Sequence, residues 1–293
     1  MKLPFNFRRI TVGFIAVFLI ASGCSTHHYL RHLPANYFQY HEGTTVALSA
    51  HRGGGDYPQY PENCIESFQW LAKQMPTVIE CDINLTKDSV LIMMHDDSFN
   101  RTSTGKGNIS DSSFAYSQTL MLKDNFGALT NYRIPTLSQV LEWGKDKAAF
   151  TLDVKKNVPF EKVVAELQRQ KAHRYAAIIT YNANDAAKVH QLDPNIMLSV
   201  TIRNQEEYNR HHELGIPDNR MIAFVGTREP DANWLQTLHS KGIRCILGTL
   251  GNLDKMAAAR GDSLYNKWYT MGADMMSTDR PLEAWKVLKR AGK

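Results

Sequence analysis

Residues 150–201, FTLDVKKNVPFEKVVAELQRQKAHRYAAIITYNANDAAKVHQLDPNIMLSVT, contain three short apolar runs separated by two amphipathic helical patterns. The runs Phe150–Val154, Ala177–Tyr181 and Met197–Thr201 carry Val, Ile, Leu and Met in the density typical of buried strands. Between them, Phe160–Gln170 and Asn184–Gln191 repeat apolar residues at helical spacing. Strands that alternate with helices in this way indicate a parallel sheet.

The same alternation extends over most of the chain. Five further strands are predicted at Val46–Ala50, Val78–Ile83, Ile222–Val225, Cys245–Gly248 and Asp274–Ser277. Further helices are predicted at Ile65–Lys73, Thr136–Trp143, Gln205–Leu214, Pro230–Ser240, Leu253–Arg260 and Pro281–Arg290. Eight strand–helix pairs predict an α/β fold, a (β/α)₈ TIM barrel over residues 44–293. A doubly wound open sheet is the alternative, because alternation alone does not distinguish a closed sheet from an open one.

One segment does not fit a plain barrel. Val90–His95 resembles a strand and follows the second strand after only a short turn, Lys87-Asp88-Ser89. The polar stretch that follows, up to Arg133, is too long for a simple loop between a strand and a helix. We therefore predict an insertion after the second strand, at about residues 88–133, that folds over the mouth of the barrel.

The first residues of the chain predict export and attachment to a membrane. A basic start ending at Arg8-Arg9 and an apolar run over Ile10–Ile20 precede Ala21-Ser22-Gly23-Cys24. This order resembles a bacterial lipoprotein signal, with residues 1–23 removed and Cys24 lipidated. Residues 24–43 would then be a tether to the cell envelope, and Ser25 resembles an outer-membrane signal. An ordinary secretory peptide is the alternative.

Composition and cysteine content narrow the classes of function. With 43% hydrophobic and 22% charged residues in 293, the chain has a globular composition, which excludes disordered, collagen-like and solenoid proteins. Without residues 1–23 the formal net charge falls from +5 to +2. This leaves no electrostatic case for nucleic-acid binding. Besides Cys24 there are three cysteines, Cys64, Cys81 and Cys245, which we interpret as small buried side chains.

Polar residues gather at the predicted C-terminal ends of the first three barrel strands, where barrel active sites lie. Glu80 and Asp82 are two apart and so share one face of the second strand, and Asp153 ends the third strand. Three neighbouring carboxylates require a cation, and hard oxygen ligands favour Ca²⁺ or Mg²⁺. Each element also has a plainer interpretation: the acids as a solvated strand end, and Gly53–Gly55 as a flexible loop.

The remaining residues at these strand ends suit a phosphate diester as substrate. Arg52 follows the first strand and Lys155 follows Asp153, so both could neutralise a phosphate beside the cation. His51 and His95 titrate near neutral pH and could act as general base and general acid. An isolated histidine is usually structural or exposed. His51 and His95 are therefore candidates for catalysis only because of the charged residues predicted beside them.

Together these pieces resemble the glycerophosphodiester phosphodiesterase family from about Ala47 to Pro281. The matching motifs, in chain order, are His51-Arg52-Gly53, Pro61-Glu62-Asn63, Glu80-Cys81-Asp82, Thr86-Lys87-Asp88, His95-Asp96, Arg101-Thr102, Ile134-Pro135-Thr136-Leu137, Asp153-Val154-Lys155, Gly272-Ala273-Asp274 and Thr278-Asp279-Arg280-Pro281. The resemblance implies metal-dependent hydrolysis of glycerophosphodiesters to glycerol phosphate and an alcohol.

Residue by residue, the resemblance implies specific roles. Glu80, Asp82 and Asp153 would be the metal ligands, His51 and His95 the proton-transfer pair, and Arg52 and Lys155 the phosphate contacts. We expect Glu62 and Asn63 to support Arg52 or the loop after the first strand, and Asp96 to orient His95.

Two departures from the family pattern affect the expected pocket. Asp153 stands where the family usually has glutamate, so the cation would lie closer to that strand or be reached through water. Gly248-Thr249 replaces a Trp-Thr pair that packs beside the glycerol group, which predicts a wider pocket.

Three other functions remain open at this stage. A phosphatidylinositol-cleaving or sphingomyelinase D-like phospholipase would share the barrel, the cation and the histidines, and would act on intact lipids. A lipoprotein could instead bind phosphodiesters without turnover. A glycosidase is disfavoured, because same-face carboxylates on one strand leave no room for a sugar between them. Nothing in the sequence indicates an oligomeric state.

Overall fold

A computed structural model describes Met1, residues 33–54 and residues 56–290. The predicted lipidation residue Cys24 lies outside the described residues, as do residues 2–23 of the predicted signal peptide. Among the residues that are described, no helix combines the length and the apolar character needed to span a bilayer.

Nine strands are found in the described part of the chain: β1 (Ala47–Ala50), β2 (Val78–Leu85), β3 (Leu91–Met93), β4 (Ala149–Val154), β5 (Ala176–Thr180), β6 (Met197–Thr201), β7 (Met221–Phe224), β8 (Arg244–Gly248) and β9 (Met275–Thr278). Eight of them pair in parallel in the order β1-β9-β8-β7-β6-β5-β4-β2, and a β1–β2 pairing closes the ring. The predicted (β/α)₈ barrel is thus confirmed, and the open sheet is excluded.

The described residues also form ten α-helices: α1 (Ile65–Gln74), α2 (Phe114–Ser117), α3 (Leu137–Gly144), α4 (Phe160–Gln170), α5 (Ala183–Leu192), α6 (Gln205–Glu213), α7 (Ala232–His239), α8 (Asn252–Arg260), α9 (Leu264–Thr270) and α10 (Pro281–Arg290). The patterning predicted eight of them. The short α2 and α9 were not predicted; α9 places Tyr265 and Trp268 in the core, where neither is exposed to solvent.

The two faces of the barrel strands differ in polarity. Side chains that point outward, such as Cys81, Phe150 and Leu152, belong to the apolar core between the strands and the helices. Many that point inward near the C-terminal ends are small and polar, including Ser49 and Ser199, and these line a cavity. Small inner side chains leave room at this end of the barrel for a polar site.

Residues 33–45 close the N-terminal end of the barrel. Phe38 is 2% exposed and belongs to the core, and the buried guanidinium of Arg244 donates to the carbonyl oxygens of Tyr37 (2.6 Å) and Thr45 (2.8 Å). Residues 33–43, the C-terminal part of the predicted tether, therefore pack against the barrel. Their apolar side chains and their bonds to Arg244 explain this placement.

The insertion after β2 has a small core of its own. β3 pairs antiparallel with the end of β2 that extends beyond the barrel, from Ile83 to Leu85. Behind it, Phe99, Ile109 and Leu122 are buried together. The insertion thereby fixes His95, two residues after β3, beside the barrel mouth.

Candidate active site

Six of the predicted site residues line a single cavity of about 290 Å³ at the C-terminal ends of the strands: His51, Glu80, Asp82, His95, Asp153 and Lys155. They come from the ends of β1, β2 and β4 and from the start of the insertion. These six residues, which were predicted from the sequence, are spread over more than 100 positions of the chain, and the fold brings them together.

Three carboxylates form a buried cluster in this cavity. Glu80, Asp82 and Asp153 are each less than 10% exposed, and one oxygen from each lies within 4.8 Å of the others. Asp82 and Asp153 face each other in the β2–β4 register. Burial and the charge of Asp82 raise the pKa of Glu80 to about 8. The surroundings of the cluster therefore do not stabilise three negative charges at the same time.

Lys155 compensates only part of this charge. Its Nζ lies 2.6 Å from Oδ1 of Asp82 and 2.7 Å from Oδ2 of Asp153. Burial lowers the pKa of Lys155, but the two carboxylates outweigh that effect and raise it. One ammonium faces three carboxylates, and the Tyr181 side chain, which hydrogen-bonds to Asp153, adds no positive charge. The cluster therefore fits a divalent cation.

Asn63 fixes the orientation of Asp82. Its Nδ2 donates to Oδ2 of Asp82 at 2.7 Å, and its Oδ1 accepts from the Asp82 backbone N–H at 2.8 Å. Asn63 is buried and has a left-handed backbone with φ of 56°. Burial raises the pKa of Asp82, but Lys155 and the Asn63 amide outweigh it, so the pKa is lowered overall. Asn63 thus orients a carboxylate with its side chain, and its backbone N–H donates to the carbonyl oxygen of Arg52 at 2.9 Å, so it also contacts the loop after β1, where the sequence placed it.

The loop after β1 is held in a fixed, left-handed conformation. Arg52 and Gly53 have φ of 52° and 76°, and a Cβ on Gly53 would lie 1.9 Å from Cε1 of Phe68. The turn directs the Arg52 backbone N–H to Oε2 of Glu80 at 2.8 Å. Glycine is therefore required at Gly53, because only glycine fits against the Phe68 ring.

His51 forms an ion pair that the sequence analysis missed. Its Nδ1 lies 2.7 Å from Oδ1 of Asp279, which follows β9. Burial lowers the pKa of His51, but the hydrogen bond to Asp279 and the charges of Glu80 and Asp279 outweigh it, so the pKa is raised. Asp279 belongs to a motif that the family resemblance included. Its role was hidden because it lies 228 residues from His51 in the chain.

His95 belongs to a chain of charged contacts. Its Nδ1 lies 2.8 Å from Oδ1 of Asp96, and Arg101 donates from Nε to Oδ2 of Asp96 at 2.7 Å. Arg101 also makes two hydrogen bonds to Glu62, at 2.8 and 3.0 Å, and Arg52 donates to Glu62 at 3.1 Å. Glu62 therefore holds Arg52, as expected, and connects it to the His95 side of the site. The linking residue Arg101 was not predicted as a site residue.

The space left by Gly248 is filled by neighbouring side chains. A Cβ on Gly248 would lie 2.8 Å from Cζ of Phe224 and 2.9 Å from Cγ2 of Thr227. Phe224 and Thr227 line the cavity, together with Ile246 and Leu250. Phe224 and Thr227 therefore occupy the space beside Gly248, and the wider pocket stays a prediction.

A TIM barrel with buried acids and two aspartate-paired histidines at its mouth is typical of a barrel enzyme. Comparison with known proteins identifies the class as phosphoric diester hydrolases. The Glycerophosphoryl diester phosphodiesterase family matches residues 51–281, so the chain belongs to this family. A Bacillus subtilis glycerophosphodiester phosphodiesterase is 32% identical over 170 residues, which cover 52% of this chain and 57% of that protein. YhdW of the same species is 29% identical over 80% of this chain and 94% of its own.

Solved structures agree with this assignment. The crystal structure of a glycerophosphoryl diester phosphodiesterase from Parabacteroides distasonis is 31% identical, with a TM-score of 0.83 over 90% of this chain and 94% of that one. A phosphodiesterase from Oleispira antarctica, solved with its product sn-glycerol-3-phosphate, shares the fold at 20% identity, with a TM-score of 0.65 over 84% of this chain and 97% of its own.

We expect Asp279→Asn to lower kcat by about 10²-fold, because the amide no longer fixes the tautomer and orientation of His51. Asp279 raises the pKa of His51, so its replacement lowers that pKa. The limb of the pH–rate profile that reports His51 should therefore move to lower pH. A profile of kcat/KM measured across pH 5–9 checks this. An unchanged limb would show that His51 does not titrate in catalysis.

Proposed function

We propose that this enzyme uses a divalent cation, Ca²⁺ or Mg²⁺, and the histidines His51 and His95 to hydrolyse glycerophosphodiesters to glycerol phosphate and an alcohol. The observation that carries the proposal is the meeting of two aspartate-paired imidazoles and three buried carboxylates in one cavity. Two imidazoles can transfer protons to and from a phosphodiester, and a cation held by the carboxylates would stabilise the charge that develops on its oxygens.

Glu80, Asp82 and Asp153 would hold the cation. An all-oxygen donor set suits the hard ions Ca²⁺ and Mg²⁺, and the excess negative charge supports a bound cation. When bound, such an ion supplies Lewis-acid stabilisation of the charge on the phosphate oxygens. Asp153 is one methylene shorter than the glutamate that is usual at this position. The preference between Ca²⁺ and Mg²⁺ therefore has to be measured on this enzyme.

The two histidines are arranged for proton transfer on the substrate. The Nδ1 of each lies within 2.8 Å of an aspartate oxygen, which leaves the Nε2 of each ring to exchange protons in the cavity. One imidazole accepts the proton of the attacking group, either water or a neighbouring hydroxyl of the substrate. The other protonates the departing alkoxide. An attack by the neighbouring hydroxyl gives a cyclic phosphate, which the same pair then opens.

Arg52 and Lys155 are the proposed phosphate ligands. The Nε of Arg52 has no hydrogen-bond partner among the described residues, so an anion beside it would satisfy this donor. Arg52 follows the cavity-lining His51 in the chain but is not itself among the lining residues. Lys155 lines the cavity beside the carboxylates. Glu62 accepts a hydrogen bond from the Arg52 guanidinium and restrains it. Less side-chain entropy is therefore lost when Arg52 binds phosphate.

The test is incubation of the enzyme with glycerophosphocholine, glycerophosphoethanolamine and glycerophosphoinositol, and separately with phosphatidylinositol and sphingomyelin, with Ca²⁺, Mg²⁺ or chelator. Phosphorus NMR identifies the products. We expect glycerol phosphate from the deacylated diesters. Turnover confined to the intact lipids would assign a phospholipase instead, and binding without any product would assign a phosphodiester-binding protein.

We also propose that the mature protein is attached to the cell envelope through a lipidated Cys24, at the outer membrane, where it faces the periplasm or the cell surface. The support is the order of residue types from Lys2 to Ser25. Cys24→Ser should move the protein from the membrane fraction to the soluble fraction and abolish metabolic labelling with palmitate. Unchanged fractionation would contradict lipidation at this residue.

A further inference from the structure

A second cluster of metal-binding side chains lies at the end of the barrel opposite the cavity. His239 is the last residue of α7, Cys245 is the second residue of β8, and Asp274 immediately precedes β9. One ligand atom from each lies within 4.8 Å of the others. None of these residues has a part in the proposed phosphodiesterase reaction.

We propose that His239, Cys245 and Asp274 bind a zinc ion, with water in the fourth position of its tetrahedral coordination. Imidazole nitrogen, thiolate sulfur and carboxylate oxygen are the three donor types of zinc sites. The carboxylate-only cluster at the mouth selects hard ions instead, so the two clusters differ in the metals that they favour. This inference does not depend on the proposed function.

The charges of the cluster match a divalent cation. Cys245 is fully buried and Asp274 is 4% exposed. A thiolate and a carboxylate together balance Zn²⁺ when the imidazole is neutral, and a neutral site suits a buried position.

The ligands are already held in place by their neighbours. Asp274 Oδ2 accepts a hydrogen bond from the Cys245 backbone N–H at 2.8 Å and lies 2.8 Å from Nε2 of His239. The Tyr40 ring stacks on the His239 ring, with centroids 3.7 Å apart and planes 1° from parallel. For the ion to take the place of the proton between the imidazole and the carboxylate, a neutral ring must adopt the tautomer with its proton on Nδ1, and a protonated ring must release its Nε2 proton to solvent.

The site would fasten the segment before β1 to the barrel. Tyr40 also donates its backbone N–H to the carbonyl oxygen of Gly242 at 2.9 Å, so the stacked ring belongs to a segment already docked there. A metal ion that immobilises His239 also immobilises the surface on which Tyr40 packs. We therefore expect zinc to raise the Tm, because it binds the folded chain in preference to the unfolded one.

Titration with Co²⁺ in excess Mg²⁺ tests the site without reference to activity. Wild-type protein should develop a thiolate-to-cobalt charge-transfer absorption that saturates at one equivalent. Cys245→Ser should lack it and should bind zinc more weakly by more than about 10-fold. Two matched controls should keep it: Cys64→Ser, which changes another buried thiol, and Asp82→Asn, which changes the cluster at the mouth.

A second measurement covers the case in which Cys245→Ser does not fold. X-ray absorption of zinc-loaded wild-type protein should show one sulfur neighbour at about 2.3 Å. A zinc environment of nitrogen and oxygen alone, or an equal charge-transfer band in wild type and Cys245→Ser, would overturn the proposal. Either result would leave the phosphodiesterase function untouched.

Discussion

Alanine in place of His51 or His95 lowers the turnover of a glycerophosphodiester by about 10²–10⁴-fold, the range expected for the loss of one proton-transfer group. Both imidazoles line the cavity, and each has its Nδ1 paired with an aspartate. Their side chains are 23% and 33% exposed, so their removal should leave the core intact. Steady-state kinetics with glycerophosphocholine, together with thermal unfolding of each variant, measures the effect.

His212→Ala is the matched control for these two variants. His212 also pairs with an aspartate, Asp218, at 2.7 Å, but it is not among the residues that line the cavity. We expect this variant to keep the wild-type kcat. A His51 or His95 variant that is equally active would remove that residue from the mechanism, whatever its position.

Asp82→Asn should reduce activity by about 10³-fold or more. A bound metal ion is worth several kcal/mol of transition-state stabilisation, and each 1.36 kcal/mol corresponds to a tenfold change in rate. Asp82 is 1% exposed and contacts Lys155 at 2.6 Å, so its replacement also disturbs the position of the ammonium. Calorimetric titration with Ca²⁺ and Mg²⁺ should show weaker binding to this variant.

Removal of the metal provides the complementary measurement. Dialysis of the wild-type enzyme against a chelator should abolish turnover, and Ca²⁺ or Mg²⁺ should restore it. Asp82→Asn should recover much less at the same ion concentrations. Full activity of the wild-type enzyme in chelator would show that the three carboxylates serve another purpose, such as positioning Lys155.

Much of the architecture could be predicted because it is recorded in local patterns. The strand from Met197 to Thr201 and the helix from Phe160 to Gln170 have the predicted bounds, since apolar spacing reports directly which face of an element is buried. The residues at the strand ends could be predicted for a related reason. A parallel barrel brings the C-terminal ends of its strands to one mouth, so topology alone gathers Glu80, Asp82 and Asp153.

The site residues that could not be predicted owe their roles to contacts between side chains that are distant in the sequence. Asp279 pairs with His51 across the closure of the barrel, and Arg101 joins Asp96 to Glu62 from within the insertion. No local pattern records such a pairing. The requirement for glycine at position 53 could not be predicted for the same reason. It comes from the Phe68 ring, which packs where a side chain on Gly53 would project.

The most direct test of the account is a crystal structure of the enzyme soaked with Ca²⁺ and sn-glycerol-3-phosphate. We predict an anomalous peak for the ion among Glu80, Asp82 and Asp153, with the phosphate within hydrogen-bond distance of Nε2 of both His51 and His95. A cation bound elsewhere, or a phosphate out of reach of both imidazoles, would contradict the account.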